Sequence, residues 1–133
     1  MRANTVAKAY ASVDISSKTL NRSPEELIAL LLDKACECLK RASMLPIDSL
    51  EAEGLENRLG IIEEFHKSTS KALQIVVALN EMLDMETGGE LSQQLSETYT
   101  IIARNIWEAT RNKNRADLAK LYAALAELRV GWE

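Results

Sequence analysis

The chain has 133 residues, of which 47% are apolar and only 5% aromatic, with five Gly and two Pro. That composition fits one domain of few, long helices and excludes an all-β fold, which needs many turns and favours aromatic and β-branched residues. Net charge is −4, from 20 acids against 16 bases, which argues against a nucleic-acid binder, whose footprint is basic.

Residues 1–22 are polar and non-periodic and hold Arg2, Lys8, Lys18 and Arg22 against Asp14. They read as a flexible N-terminal arm, with one helical turn around Tyr10. The helical bundle is expected over residues 23–133. Ser23-Pro24-Glu25-Glu26 is a capping box with proline at the first helical position, so the first helix should run from Pro24 to Ser43. Its apolar residues form two adjacent stripes, Leu27, Leu31, Cys38 and Ala42 beside Ile28, Leu32, Ala35 and Leu39. Pro46 ends it, and Asp48 or Ser49 is positioned to cap the next helix.

The second helix carries Leu55, Leu59, Ile62, His66, Thr69, Leu73, Val76, Asn80 and Leu83, a heptad seam of steps 4-3-4-3. Ile61, Phe65, Ala72, Ile75 and Leu79 widen it, as in a bundle helix with two flanking partners. Gly88-Gly89 breaks the chain, with Thr87 as a possible cap. A third helix repeats the seam through Leu91, Leu95, Thr98, Ile102, Asn105 and Ala109, flanked by Tyr99, Ile106 and Trp107. Asn112-Lys113-Asn114 is a polar turn. A fourth helix carries Leu118, Leu121, Leu125, Leu128 and Trp132. The expectation is all-α: an antiparallel up-down four-helix bundle.

Chemistry is sparse. Cys36 and Cys38 lie two apart, so on a helix they point about 200° from each other and cannot pair; one should be buried and one at the rim. No apolar run reaches the roughly 18 residues of a membrane span, and no secretory signal opens the chain, so a cytoplasmic protein without membrane insertion is expected. His66 is the single histidine. Glu63 makes one Glu-x-x-His with it, but a di-iron bundle needs two such pairs, so no metal site is expected. A histidine phosphotransfer bundle using His66 is the alternative function. It is disfavoured because Thr69 and Ser70 stand where such domains have a basic residue and a glycine, with Lys67 and Lys71 misplaced, and because His66 falls on the apolar seam, where it should be packed. Gly88-Gly89 lacks the phosphate-loop pattern. No cofactor and no enzymatic activity are expected. Surplus apolar stripe on the second and third helices points to a groove for a partner, and the lone Tyr10 is suited to dock back on it.

At this point the residues resemble a known family. Ala9-Tyr10, then Ser23-Pro24-Glu25-Glu26-Leu27-Ile28, then Leu30 to Ala35, and above all Leu83-Asp84-Met85-Glu86-Thr87-Gly88-Gly89-Glu90-Leu91 are similar in order and spacing to the flagellar export chaperone family FliS. Leu95, Tyr99, Arg104, Glu108-Ala109, Asp117 and Leu128-Arg129-x-x-Trp132 also fit. The resemblance implies a cytoplasmic chaperone that binds the disordered C-terminal segment of flagellin, blocks premature polymerisation and delivers it to the export apparatus. A regulator or co-chaperone is a further possible partner. It also implies that the Tyr10 segment folds over the empty client site. The expected groove residues are Tyr10, Leu27, Leu31, Leu32, Leu95, Tyr99, Ile102 and Trp107. Leu32, Lys34 and Thr110 depart from the family's tyrosine, glycine and asparagine, and Thr98 and Ile101 stand where it has apolar and aromatic residues.

Overall fold

A computed structural model describes residues 9–10 and 23–131. Most of the expected arm, residues 1–8 and 11–22, and Trp132 lie outside the described residues. The described chain holds four α-helices, α1 (Pro24–Met44), α2 (Leu55–Glu81), α3 (Gly89–Arg111) and α4 (Arg115–Val130), with one 3-10 turn at Leu50–Ala52 and no strand. Each helix packs on its neighbours in the order α1-α2-α3-α4 and back to α1, and α3 with α4 is the least extensive pair. This is the expected four-helix bundle.

The α1 start is as the sequence dictates. Ser23 is extended (φ −70°, ψ 159°), its Oγ accepts from the Glu26 N–H at 3.2 Å, and Pro24 follows. Glu25 and Glu26 meet the positive end of the helix dipole. Of the two α1 stripes, the one with Ile28, Leu32, Ala35 and Leu39 is fully buried, while Leu27 and Leu31 are half-buried.

The expected Asp48 or Ser49 cap on α2 does not form. A 3-10 turn intervenes, Asp48 turns to Arg115 at 3.2 Å, and α2 starts from Gly54 without a side-chain cap. The α2 seam also needs correcting. Leu55 and Leu59 are 66% and 58% exposed and His66 is exposed, whereas Val76 and Leu83 are buried. The reason is geometric. Residues 54–60 are exposed on every side, so the first turns of α2 project beyond the core, and further along a strict 3.5-residue repeat drifts by about 20° per heptad around a straight helix, which leaves His66 outside and carries Val76 and Leu83 in. The residues that hold α2 in the core are Phe65, Ala72, Ile75, Val76 and Leu79.

In α3 the buried seam is Ser92, Leu95, Tyr99, Ile102, Ile106 and Ala109. It keeps three of the expected positions. Tyr99 and Ile106, expected as flanks, are central, and Asn105 is exposed. Lys113 turns the chain in the left-handed region (φ 53°), and Asn114 Oδ1 accepts from the Asp117 N–H at 3.1 Å to open α4. Leu118, Leu121 and Leu125 are buried. Exposed cross-helix ties follow the antiparallel register: Arg41 to Glu64 at 2.7 Å, Asn80 to Thr100 at 3.3 Å, and Arg129 to Asp33 at 2.9 Å.

Candidate functional site

Between α2 and α3, Asp84 organises a corner. Its Oδ1 accepts from the N–H groups of Thr87 (2.9 Å) and Glu86 (3.1 Å), bonds that hold its carboxyl below the usual carboxylate range. Thr87 is therefore bound to Asp84 rather than capping α3, and Gly88 is the cap residue. Ser92, fully buried, donates its hydroxyl to the Asp84 carbonyl at 2.8 Å. Gly89 has φ +55°, a conformation that suits glycine.

Onto this corner the N-terminal segment docks. Ala9 and Tyr10 are both 0% exposed. The Asp84 N–H donates to the Ala9 carbonyl at 2.6 Å. The Tyr10 hydroxyl donates to that of Tyr99 at 2.9 Å, inside the bundle. Gly88 makes the approach possible, because a Cβ there would stand 2.9 Å from the Ala9 Cα. Sequence reading found Tyr10 and Tyr99. It missed Ala9, Gly88 and Ser92 as one unit; the small residues at 88 and 92, one turn apart, are the signal that marks a close approach.

Burial pushes both phenols above the usual tyrosine range, Tyr99 to about 12; for Tyr10 the proximity of Tyr99 and the bond to it add to burial. Unfolded tyrosine ionises near about pH 10. A raised folded-state value means stability fully present below that pH and lost as pH climbs through the folded value. We expect the melting temperature to fall between about pH 10 and 12, with phenolate absorbance lagging that of the denatured chain. Two tyrosines titrating normally in the folded state would contradict the docked pair.

Beside Tyr99, the loose α3–α4 seam opens as a cleft of about 460 Å³, lined chiefly by Thr98, Ile101, Ile102, Ala124, Glu127 and Leu128. Ile101 is 50% exposed at its rim. Of the expected groove residues, Tyr10, Leu32, Leu95, Tyr99 and Ile102 come together in one continuous core, with Leu31 packed against it. Ile102 also lines the open cleft. Leu27 is half-buried on α1. Trp107, expected as a flank of the seam and a groove residue, is 53% exposed, beside Leu73 in the α2–α3 seam, with the Arg111 guanidinium 5.3 Å from its ring centroid. Trp107 thus flanks the buried seam of α3 at the edge that faces α2.

His66 is corrected too. It is exposed on α2, in edge contact with Phe65 (ring centroids 5.8 Å apart), not packed in the seam. Three residues on, Thr69 is buried and bonds the Phe65 carbonyl at 2.9 Å, so no basic group supports phosphate chemistry at that position. Cys38 is buried and Cys36 half-buried. Desolvation raises both thiols, Cys36 to about 11, so both stay protonated and unreactive near neutral pH. Among the described residues there is no cluster of side chains suited to a metal ion and no helix long and apolar enough to cross a membrane.

Residues 6–133 match the family model described as flagellar protein FliS. The chain is 30% identical to the flagellar secretion chaperone FliSB of Pseudomonas aeruginosa, over 100% of this chain and 97% of that one. It is 30% identical to the flagellar secretion chaperone FliS of Salmonella typhimurium, over 95% and 86% of the two chains. It is 25% identical to the Escherichia coli flagellar secretion chaperone FliS, over 95% and 85%. These relatives are chaperones rather than enzymes, and a match of this extent makes the chain a member of the FliS family of flagellar secretion chaperones.

Proposed function

We propose that this chaperone acts in the cytoplasm on flagellin, holding the disordered C-terminal segment of the client and handing it to the export apparatus, with a regulator or co-chaperone as a further partner. The observation that carries the reading is the apolar α3–α4 cleft, whose lining residue Ile102 follows Tyr99, the partner of the docked Tyr10, by one turn of α3. A disordered segment must meet an ordering cost of about 2–5 kcal/mol or more on binding. An exposed apolar rim at Ile101, continuous with Ile102 and Leu128, supplies burial against i, i+3, i+4 anchors of a client helix. No nucleotide is required for such a cycle.

In this reading residues 1–22 are a cap and residues 23–133 the client-binding bundle. Tyr10 occupies the end of the core that the client otherwise reaches, so the cap keeps apolar surface covered between clients. Cap and client then compete, and release of the cap is part of the binding equilibrium.

The test is calorimetric titration with a flagellin C-terminal peptide. One-to-one binding is expected, with stability raised by about 2.7 kcal/mol at a free peptide concentration 100 times Kd. Ile101→Glu places a charge on the exposed rim and should weaken binding at least about tenfold without lowering the melting temperature. Deleting residues 1–15 should raise hydrophobic-dye binding and leave peptide affinity equal or higher. Absence of heat and of any thermal shift would remove flagellin as client. A weaker affinity after the deletion would make the arm part of the site rather than its cover.

A further inference from the structure

The opposite seam of the bundle has a different chemistry. Between α1 and α2 lies a cleft of about 270 Å³ lined by Lys34, Glu37, Cys38, Arg41, Glu64, Lys67, Ser68 and Lys71. Four cations face two carboxylates there, in a chain whose net charge is −4. The Arg41–Glu64 rung is complementary at 2.7 Å, and Lys34 has Glu37 beside it at 3.7 Å on its own helix. Lys67 lies near enough to Glu64 to help keep it charged. Among the described residues neither Lys67 nor Lys71 makes an ion pair.

The Arg41–Glu64 register runs α1 and α2 antiparallel, which sets Lys34 across the seam from Lys71. Both act electrostatically on Cys38 at the cleft floor. Lys67 and Lys71 are i, i+4 on one helix, a like-charge spacing that costs a few tenths of a kcal/mol. An arrangement that repels itself is relieved by an anion. We propose that the α1–α2 seam is a docking site for an acidic peptide segment of a partner protein, with Lys34, Lys67 and Lys71 receiving its carboxylates and Ser68 and Cys38 forming the floor.

A peptide suits the site better than a compact phosphate. Lys67 and Lys71 are about 6 Å apart along the helix axis, the spacing of carboxylates one helical turn apart. The site is also mid-helix, where backbone N–H groups are already bonded and offer a phosphate none of the donors that helix N-termini supply. Because helices pack in the order α1-α2-α3-α4, this seam lies across the bundle from the α3–α4 cleft. It can be occupied whether or not that cleft is.

The experiment is anisotropy of a labelled hexaglutamate peptide with the full chain. Saturable binding at low salt, weakened by added salt, is expected. Lys67→Gln/Lys71→Gln should weaken it about tenfold, the sum of two partly exposed ion pairs, while the charge-matched Lys113→Gln/Lys120→Gln leaves it nearly unchanged. Equal weakening by both variants would reduce the effect to diffuse charge and overturn the site. Displacement of the peptide by inorganic phosphate at equal concentration would overturn the choice of ligand. The Lys71→Gln chain, which keeps the Lys67–Glu64 attraction, should melt at or above the parent temperature; a lower value would contradict the mutual repulsion on which the proposal rests.

Discussion

Replacing Tyr99 by alanine should lower the unfolding free energy by about 3–5 kcal/mol, the range for truncating a buried aromatic ring. Tyr99 is fully buried in the centre of the α3 seam, and its hydroxyl accepts from Tyr10, 89 positions away in the chain. The substitution opens a cavity and removes the polar partner that the N-terminal segment reaches for. Two milder variants separate these effects. Tyr99→Phe and Tyr10→Phe keep the rings and should cost about 1 kcal/mol each, because each withdraws one partner from a buried hydroxyl. The double Phe variant should cost less than the two single losses added together, since apolar groups of the same shape then face each other. Denaturant unfolding of the four chains gives the coupling directly. Strict additivity would mean that the two hydroxyls do not share a bond in solution.

Gly88→Ala should act through the backbone rather than a side-chain contact. Its new Cβ would stand 2.9 Å from the Ala9 Cα and 2.9 Å from the Asp84 carbonyl oxygen, and would collide with the Ser92 hydroxyl. Ser92 can rotate away at the loss of its bond to Asp84; the other two atoms belong to the main chain and cannot. Overpacking of this kind costs about 1–3 kcal/mol. Part of that is the undocking of the N-terminal segment, so hydrophobic-dye binding should rise as stability falls. In a chain lacking residues 1–15, Ala9 is gone and the penalty should shrink. An equal penalty in both chains would place the strain entirely at Asp84 and Ser92. Gly60 is a fair control, because nothing lies within 4 Å of a Cβ there, and Gly60→Ala in a helix should be neutral or stabilising.

Much of the fold was legible because its signals are local. The Ser23 cap, the α4 start at Asn112-Lys113-Asn114 and the leucines of α4 follow from dihedral preference and spacing within a few residues. Errors arose where a choice depended on distant chain. Two stripes on α1 were equally apolar, and only packing against α2 and α4 selected Ile28 and Leu32 over Leu27 and Leu31 for the deepest burial. On α2 the widening residues Phe65, Ala72, Ile75 and Leu79 are core as expected, yet the first turns of the seam project into solvent and His66 faces outward. The candidate site was half legible. Tyr10 stands out by its isolation, but the corner that meets its neighbour Ala9, formed by Asp84, Gly88 and Ser92, has no periodicity that links it to residue 9.

By itself the sequence determined the helical class, the helix starts with strong caps, the absence of a disulfide between Cys36 and Cys38, and through its motifs the FliS family. These depend on composition, short-range spacing and similarity to known chains. The tertiary structure decided which apolar residues are core and which are free surface. It closed Tyr10 over Tyr99, left the α3–α4 seam open at Ile101, and set Lys34 against Lys71 across α1 and α2. The physical reason is that burial and charge facing charge are properties of residues brought together from distant parts of the chain. Periodicity states which faces a helix has; only its neighbours decide which of them meets water.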